Sequence, residues 1–252
     1  MMKPGLTLLA AVLCAVLAPT AIAEIRIGII GTDTSHVPAF TKLLNDPAAK
    51  DHIPGARIVA AYKGGSKDLK ESYERVDKFA EEIRTKYGVE IVNDIPTLCS
   101  KVDAVLIESV DGRPHLAQAR QVIAAGKPLF IDKPLASTYE DAKEIARLAR
   151  AAKVPWFTSS SLRWTELTEK FSAKGAQSVI VWGPGPENAL HQLDLSWYGV
   201  HAVEMLYALM GTGCEEVTRT FTPGGDIVTG KWKDGRTGVV QTIKPYGPFG
   251  GM

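Results

Sequence analysis

The chain has 252 residues, of which 45% are apolar and 23% charged, and this composition is typical of an ordinary globular protein. Its 29 basic and 28 acidic side chains nearly cancel, which excludes the basic surface of a nucleic-acid-binding protein. The sequence lacks internal repeats and low-complexity runs, so solenoid and disordered classes are excluded as well.

The first 23 residues have the pattern of a signal peptide. Lys3 precedes an apolar run over 6–17, and the small residues Ala21 and Ala23 follow it. We therefore expect an exported protein, periplasmic or extracellular, that is cleaved after Ala23. A run of about 12 apolar residues is too short to span a bilayer, so no stable membrane anchor is expected.

The next part of the chain alternates apolar strands with amphipathic helices. Strands are predicted over 24–31, 56–62, 89–92, 103–109, 128–132 and 155–160, and helices over 35–45, 66–87, 114–125 and 138–152. Ser66 is the predicted N-cap of the second helix. This alternation predicts an α/β fold with a doubly wound parallel sheet over 24–153, and ligands of such sheets bind at the carboxyl ends of the strands.

The remaining residues, 154–252, predict a second, smaller α+β domain. A strand is expected over 178–183 and an apolar helix over 195–210. Antiparallel strands then follow, with turns at Gly224 and Gly225 and at Asp234 and Gly235. Cys99 and Cys214 are expected to be two separate buried thiols, although a disulfide between them stays open in an exported chain.

Lys133 is the first candidate for chemistry, because it follows a predicted strand directly and precedes a proline. A lysine at that point can face the cleft and take part in proton transfer. From the residues alone, a solvated lysine beside Asp132 is the alternative interpretation.

Three segments carry a resemblance to a known family. "GKPLFIDKPLA" (126–136) resembles the motif "aGKhVlcEKPla" of the Gfo/Idh/MocA oxidoreductases, named for glucose–fructose oxidoreductase and inositol dehydrogenase, with Asp132 in place of the usual Glu. "DAVLIESVDGRPHLAQARQVIAAGK" (103–127) is similar to "DaVvIatPnxxHxexaxxAlxaGK" and aligns His115 with the family histidine. "WYGVHAVE" (197–204) resembles the pattern D-x-G-x-H-x-x-D through His201 and Glu204, with Trp197 at the first aspartate.

The resemblance implies a Rossmann-type dinucleotide-binding domain and a substrate or oligomerisation domain that is incomplete here. It implies hydride transfer between NAD or NADP and a small-molecule sugar, cyclitol or related polyol, and a homo-oligomer formed through the second-domain sheet. Lys133 and His201 are the implied catalytic residues. The cofactor-binding residues are expected to be Gly31, Thr32, Asp33, Thr34, Ser35, His36, Lys63, Ser109, His115, Asp132 and Pro134, and the substrate-binding residues Asp111, Arg113, Asp194 and Glu204.

Alternatives stay open at several of these positions. Asp33 and His36 occupy the places of the second and third glycines of a G-x-G-x-x-G loop. Lys63 with the following Gly-Gly-Ser suits a 2′-phosphate or another anion, or forms a plain turn. His201 and Glu204, three residues apart, form either a cleft-facing pair or a core histidine satisfied by a carboxylate.

A second function from another class also fits the sequence. An exported carbohydrate-binding protein without redox activity would use polar residues at the strand ends, namely Asp33, Ser35, His36, Glu108, Asp111 and Arg113. A zinc site built from His191, His201 and Glu204 lacks tight ligand spacing, so no metal site is expected.

Overall fold

The computed structural model describes residues 23–170, 175–191 and 194–252. All of the predicted signal peptide except Ala23 lies outside these residues. Within the described part of the chain, none of the helices combines the length and apolar character that crossing a membrane requires.

The first sheet contains six parallel strands in the order β3-β2-β1-β4-β5-β6. The strands are β1 (Ile25–Ile30), β2 (Ala56–Tyr62), β3 (Glu90–Val92), β4 (Ala104–Ile107), β5 (Leu129–Ile131) and β6 (Trp156–Thr158). The predicted parallel sheet is confirmed. The strand order reverses beside β1, which pairs with β2 on one side and β4 on the other, so the crevice for ligands opens there.

Helices cover this sheet on both faces, as the β-branched, doubly buried strands require. They are α1 (His36–Asn45), α2 (Lys70–Tyr73), α3 (Val76–Tyr87), α4 (Ile95–Lys101), α5 (His115–Ala124) and α6 (Tyr139–Ala152). On one face α1 and α3 bury Val37 and Ile83 against Ile29 and Ile58. On the other face, α4, α5 and α6 form a larger core around the side chains of Leu98, Val105, Ile107, Val122 and Ile145.

The single helix predicted over 66–87 is wrong in two respects. The segment forms two helices, α2 and α3, and Ser66 caps neither of them. The Ser66 hydroxyl instead donates to Asp111, 45 residues away. The sequence prediction also missed α4, although Asp94 caps it by accepting a hydrogen bond from the backbone N–H of Thr97 at 2.6 Å.

The second sheet has the order β11-β7-β10-β9-β8. Its strands are β7 (Ser178–Pro184), β8 (Cys214–Thr222), β9 (Gly225–Trp232), β10 (Thr237–Ile243) and β11 (Gly250–Gly251). The two predicted glycine turns join β8 to β9 and β9 to β10, both antiparallel pairs. A short helix, α7 (Glu166–Lys170), precedes this sheet.

The apolar helix predicted over 195–210 begins later than expected. A 3-10 turn at Asp194–Ser196 comes first, and α8 (Val200–Met210) follows. This helix buries Met205 and Leu206 against Val181, Trp232 and other residues of the second sheet. Its first turn carries His201 toward the first sheet. Cys99 and Cys214 are both free thiols, the first buried and the second half-buried.

Candidate functional site

The candidate site lies where the carboxyl ends of β1, β4 and β5 meet the start of α8. Residues that follow strands of the first sheet meet residues at the start of α8 there.

Lys133 and His201 approach this site from opposite sides. The Lys133 ammonium lies 5.8 Å from the centroid of the Tyr198 ring. The same ring packs edge-on against the His201 imidazole, with 5.1 Å between ring centroids. Tyr198, one turn before His201 and not singled out from the sequence, therefore links the two residues that the family resemblance implies are catalytic.

His201 is buried and neutral at ordinary pH. Its side chain is enclosed by protein, and this burial, with the nearby positive charge of Lys133, lowers the pKa of His201 to about 4. Its Nδ1 lies 2.6 Å from the Ser160 hydroxyl, which also accepts a hydrogen bond from the backbone N–H of Leu162 at 3.1 Å. Ser160 was missed in the sequence. The only signal for it was a serine run directly after β6.

Glu204 does not pair with His201, although both lie on α8. Its carboxylate accepts a hydrogen bond from Arg163 Nε at 2.5 Å. Asp194 is engaged elsewhere too, because Arg219 on β8 binds it at 2.8 Å. The structure therefore contradicts the interpretation of His201 as a core histidine satisfied by Glu204.

His36, Glu108 and Asp132 form a compact polar cluster at the ends of β1, β4 and β5. His36 Nδ1 lies 2.6 Å from Asp132 Oδ2 and 3.9 Å from Glu108 Oε2. Glu108 is completely buried, and neither of its carboxylate oxygens has a hydrogen-bond partner among the described residues. Burial, reinforced by the neighbouring charge of Asp132, raises the pKa of Glu108 well above its ordinary value, and Lys133 opposes this only in part.

The loop after β1 keeps one glycine for a steric reason. Gly31 has a φ of +88°, and a Cβ at this position would lie 2.4 Å from the backbone nitrogen of Ser109. Asp33 is buried and turned inward. Its carboxylate accepts hydrogen bonds from the Val110 N–H at 3.0 Å and the Ser72 hydroxyl at 2.5 Å. Burial raises the pKa of Asp33, and the Ser72 hydrogen bond opposes that rise.

Residues 63–69, which we call the strap, run from the end of β2 across the crevice. Ser66 donates to Asp111 at 2.5 Å, and Arg113 forms an ion pair with Asp68 at 2.7 Å. Since β1 lies between β2 and β4, these two contacts pass over the loop after β1. A Cβ at Gly64 would lie only 3.5 Å from the Gly31 Cα, so the strap rests on that loop.

The other residues assigned to the cofactor occupy varied positions. Lys63 is exposed and pairs with Asp77 at 2.8 Å. His115 is buried between the carbonyl oxygens of Ser109 and Leu135. The remaining hydroxyls lie near the crevice. Thr32 donates a hydrogen bond to the Val76 carbonyl, and Thr34 accepts one from the His36 N–H. Ser35 is exposed, and Ser109 hydrogen-bonds with Gln118.

A cavity of about 750 Å³ borders the polar cluster. Most of its wall is apolar and is formed by α1, through Phe40, and by the sheet face beside it, through Leu106 and Phe130. Its polar end includes the side chains of His36, Asp132, Ser159, Ser160 and Ser161. The cavity therefore gives access from solvent to the residues that follow β5 and β6.

The sequence matches one protein-family model, described as an oxidoreductase family with an NAD-binding Rossmann fold, Gfo/Idh/MocA. The match spans residues 25–159, just over half of the chain. Among curated proteins, none matches this chain.

Solved structures share the architecture of both sheets. An oxidoreductase from Agrobacterium radiobacter in complex with NAD⁺, L-tartaric acid and magnesium has a TM-score of 0.67 at 17% identity, covering 90% of this chain and 68% of that one. An NAD-binding protein from Listeria innocua has a TM-score of 0.65 at 18% identity, and the match covers 87% of this chain and 67% of that one. An NAD-binding oxidoreductase from Klebsiella pneumoniae has a TM-score of 0.64 at 21% identity, and the match covers 88% of this chain and 67% of that one. At these identities the likeness shows the fold alone.

Proposed function

The chain belongs to the Gfo/Idh/MocA family of oxidoreductases, with its NAD-binding Rossmann fold, and from that premise we propose that it transfers a hydride between NAD(P) and a carbinol carbon of a sugar, cyclitol or related polyol. The observation that carries the proposal is the meeting of Lys133 and His201 around Tyr198 at the carboxyl ends of the strands. A basic group and a neutral imidazole at one point are what the removal of a hydroxyl proton requires.

The bound nicotinamide supplies the acceptor or donor of the hydride. During reduction the Lys133 ammonium gives a proton to the carbonyl oxygen and becomes a neutral amine, and during oxidation that neutral amine takes the proton of the substrate hydroxyl and becomes the ammonium again. His201, neutral because its pKa is about 4, holds the same oxygen by a hydrogen bond. In the tautomer whose Nδ1 accepts from Ser160, the hydrogen on Nε2 serves this purpose. The Tyr198 and Phe249 rings, 5.1 and 5.7 Å from the imidazole, keep water away from it.

Part of the crevice suits a dinucleotide directly. Gly31 permits close approach to the backbone, and α1 begins at His36, so its N-terminal N–H groups face the crevice. The strap lies over the other part, where the Ser66–Asp111 hydrogen bond joins the segments that follow β2 and β4; we infer that this hydrogen bond has to break before an extended dinucleotide binds. The residues therefore fit the cofactor once the strap has opened.

The direct test is binding of NAD(H) and NADP(H) to the mature protein, followed by turnover with a panel of polyols. Lys133→Ala should lower kcat by about 10²- to 10⁴-fold, the usual contribution of a proton-transfer group. Lys143→Ala is the matched control, because Lys143 stacks on Tyr139 on the exposed side of α6. If neither nucleotide binds the folded protein at millimolar concentration, the redox proposal is wrong.

The strap gives a second, independent measurement. Ser66→Ala removes one hydrogen bond to a buried carboxylate, which stabilises the closed strap by about 1.5–3 kcal/mol. The open population should rise, so the Kd for the dinucleotide should fall by about tenfold or more. An unchanged Kd would mean that the strap does not limit cofactor binding.

The second candidate function is carbohydrate binding without redox chemistry. Two observations favour it: the closed strap and the inward Asp33, whose carboxylate takes the place of a glycine. Under this alternative, Lys133→Ala leaves sugar affinity within a few-fold and there is no turnover to lose. Calorimetry with sugars, in the presence and absence of NAD(H), separates the two candidates.

A further inference from the structure

We propose that His36, Glu108 and Asp132 bind one divalent transition-metal ion, of the Zn²⁺ or Mn²⁺ class. The proposal is independent of hydride transfer, because it concerns groups that neither Lys133 nor His201 needs for proton transfer.

The topology places the three side chains together. They follow β1, β4 and β5, which are neighbours in the sheet, so their positions converge at one edge. One potential ligand atom from each lies within 4.8 Å of the others. Two ligand atoms at 2.0–2.2 Å from one tetrahedral ion lie roughly 3.4 Å apart, so changes of about 1.5 Å or less in the distances between these atoms, including a lengthening of the 2.6 Å His36–Asp132 distance, complete the geometry.

Glu108 supplies the independent observation that points to a ligand. Its side chain is fully enclosed, yet both carboxylate oxygens lack a hydrogen-bond partner among the described residues. Lys133 is near but donates no hydrogen bond to either oxygen. A buried carboxylate without a partner is costly, and a cation bound between Glu108, Asp132 and His36 removes that cost.

The donor set selects the type of ion. One imidazole nitrogen and two carboxylates favour Zn²⁺ or Mn²⁺ over Mg²⁺ and Ca²⁺, which prefer oxygen ligands alone. Three protein ligands leave a coordination position for water or an oxygen of a small molecule. The ion has a path to the site, because the His36 side chain is 33% exposed and the cavity reaches both His36 and Asp132.

The experiment is calorimetric titration of the metal-free mature protein with Zn²⁺ and with Mn²⁺, in the absence of nicotinamide nucleotides. We expect one equivalent to bind. Glu108→Gln and His36→Gln should each weaken that binding by at least about tenfold. Glu81→Gln and His52→Gln are the matched controls, because Glu81 pairs with Arg84 on an exposed helix and His52 binds the Leu43 carbonyl. Both controls should bind as the wild type does.

Thermal unfolding provides a second measurement, in which the order of melting temperatures of the wild type and Glu108→Gln should change when Zn²⁺ is added. A purely structural role of Glu108 would not produce that change. Without metal, Glu108→Gln should melt at a higher temperature than the wild type, because a neutral amide replaces an unpartnered carboxyl. With Zn²⁺, the wild type should gain stability and the variant should not. Asp132→Asn is the second variant if either ligand variant fails to fold, and it too should lose the shift.

Two results would overturn the proposal. One is wild-type protein that binds neither ion below about 100 µM. The other is equal metal affinity in the wild type and in Glu108→Gln. If Glu108→Gln is stabilised while the wild type binds no metal, Glu108 is a neutral acid and the site is not a metal site. Since nucleotides are absent throughout, loss of the metal proposal leaves the hydride-transfer proposal untouched.

Discussion

Acid should lower the free energy of unfolding of the wild type more than that of a His201→Gln variant, because His201 is protonated in the unfolded chain. The pKa of His201 in the folded protein is about 4, against 6.5 for an ordinary histidine, because burial and Lys133 disfavour the charged form. As the pH falls below 6.5, His201 binds a proton in the unfolded chain but stays neutral in the folded protein until the pH approaches 4. Stability is therefore fully present above pH 6.5 and is lost as the pH falls toward 4.

The magnitude follows from these two pKa values. Each unit of pKa difference corresponds to 1.36 kcal/mol, so the complete loss is about 3 kcal/mol. Between pH 7 and pH 5, linkage gives a loss of about 2 kcal/mol. Glutamine keeps a hydrogen bond to Ser160 but has no proton to bind, so the variant should lack this part of the pH dependence.

Urea denaturation of wild type and His201→Gln at pH 8, 7, 6 and 5 measures the difference. The two proteins should keep a constant gap in unfolding free energy between pH 8 and pH 7, which is the internal control. From pH 7 to pH 5 the gap should move by about 2 kcal/mol in favour of the variant. If it moves by less than about 0.5 kcal/mol, His201 is not desolvated as its burial implies.

Three further outcomes are expected. Gly31→Ala should cost about 3 kcal/mol or more in urea denaturation, because its positive φ and a 2.4 Å backbone contact both oppose a Cβ, whereas Gly126→Ala, with positive φ but open space, should cost only about 1 kcal/mol. Ser72→Ala should cost about 1–3 kcal/mol, since it leaves the buried carboxylate of Asp33 without one donor; an unchanged urea midpoint would contradict this. Expression with the leader in a bacterial host should yield mature protein that begins at Glu24 in the exported fraction, which intact-mass measurement checks; retention of the leader would contradict the export proposal.

Local patterning in the sequence was sufficient for most of the fold. The alternation of apolar runs and helical stripes predicted six strands of the first sheet, because side-chain periodicity is a property of neighbouring residues. The glycine turns of the second sheet were predicted because Gly-Gly and Asp-Gly are local turn signals. The helix over 66–87 failed, since Ser66 and Ser72 are engaged by Asp111 and Asp33, and such distant hydrogen bonds leave no periodic signal.

The sequence by itself determined which residues stand at the strand ends, including Lys133 after β5 and Glu108 after β4. Only the tertiary structure decided which of them meet. It pairs His36 with Asp132 across 96 residues and gives His201 the Ser160 hydroxyl in place of Glu204. It also buries Glu108 without a hydrogen-bond partner among the described residues. Strand order and helix placement fix these distances, and both depend on packing of the whole chain, which no local pattern contains.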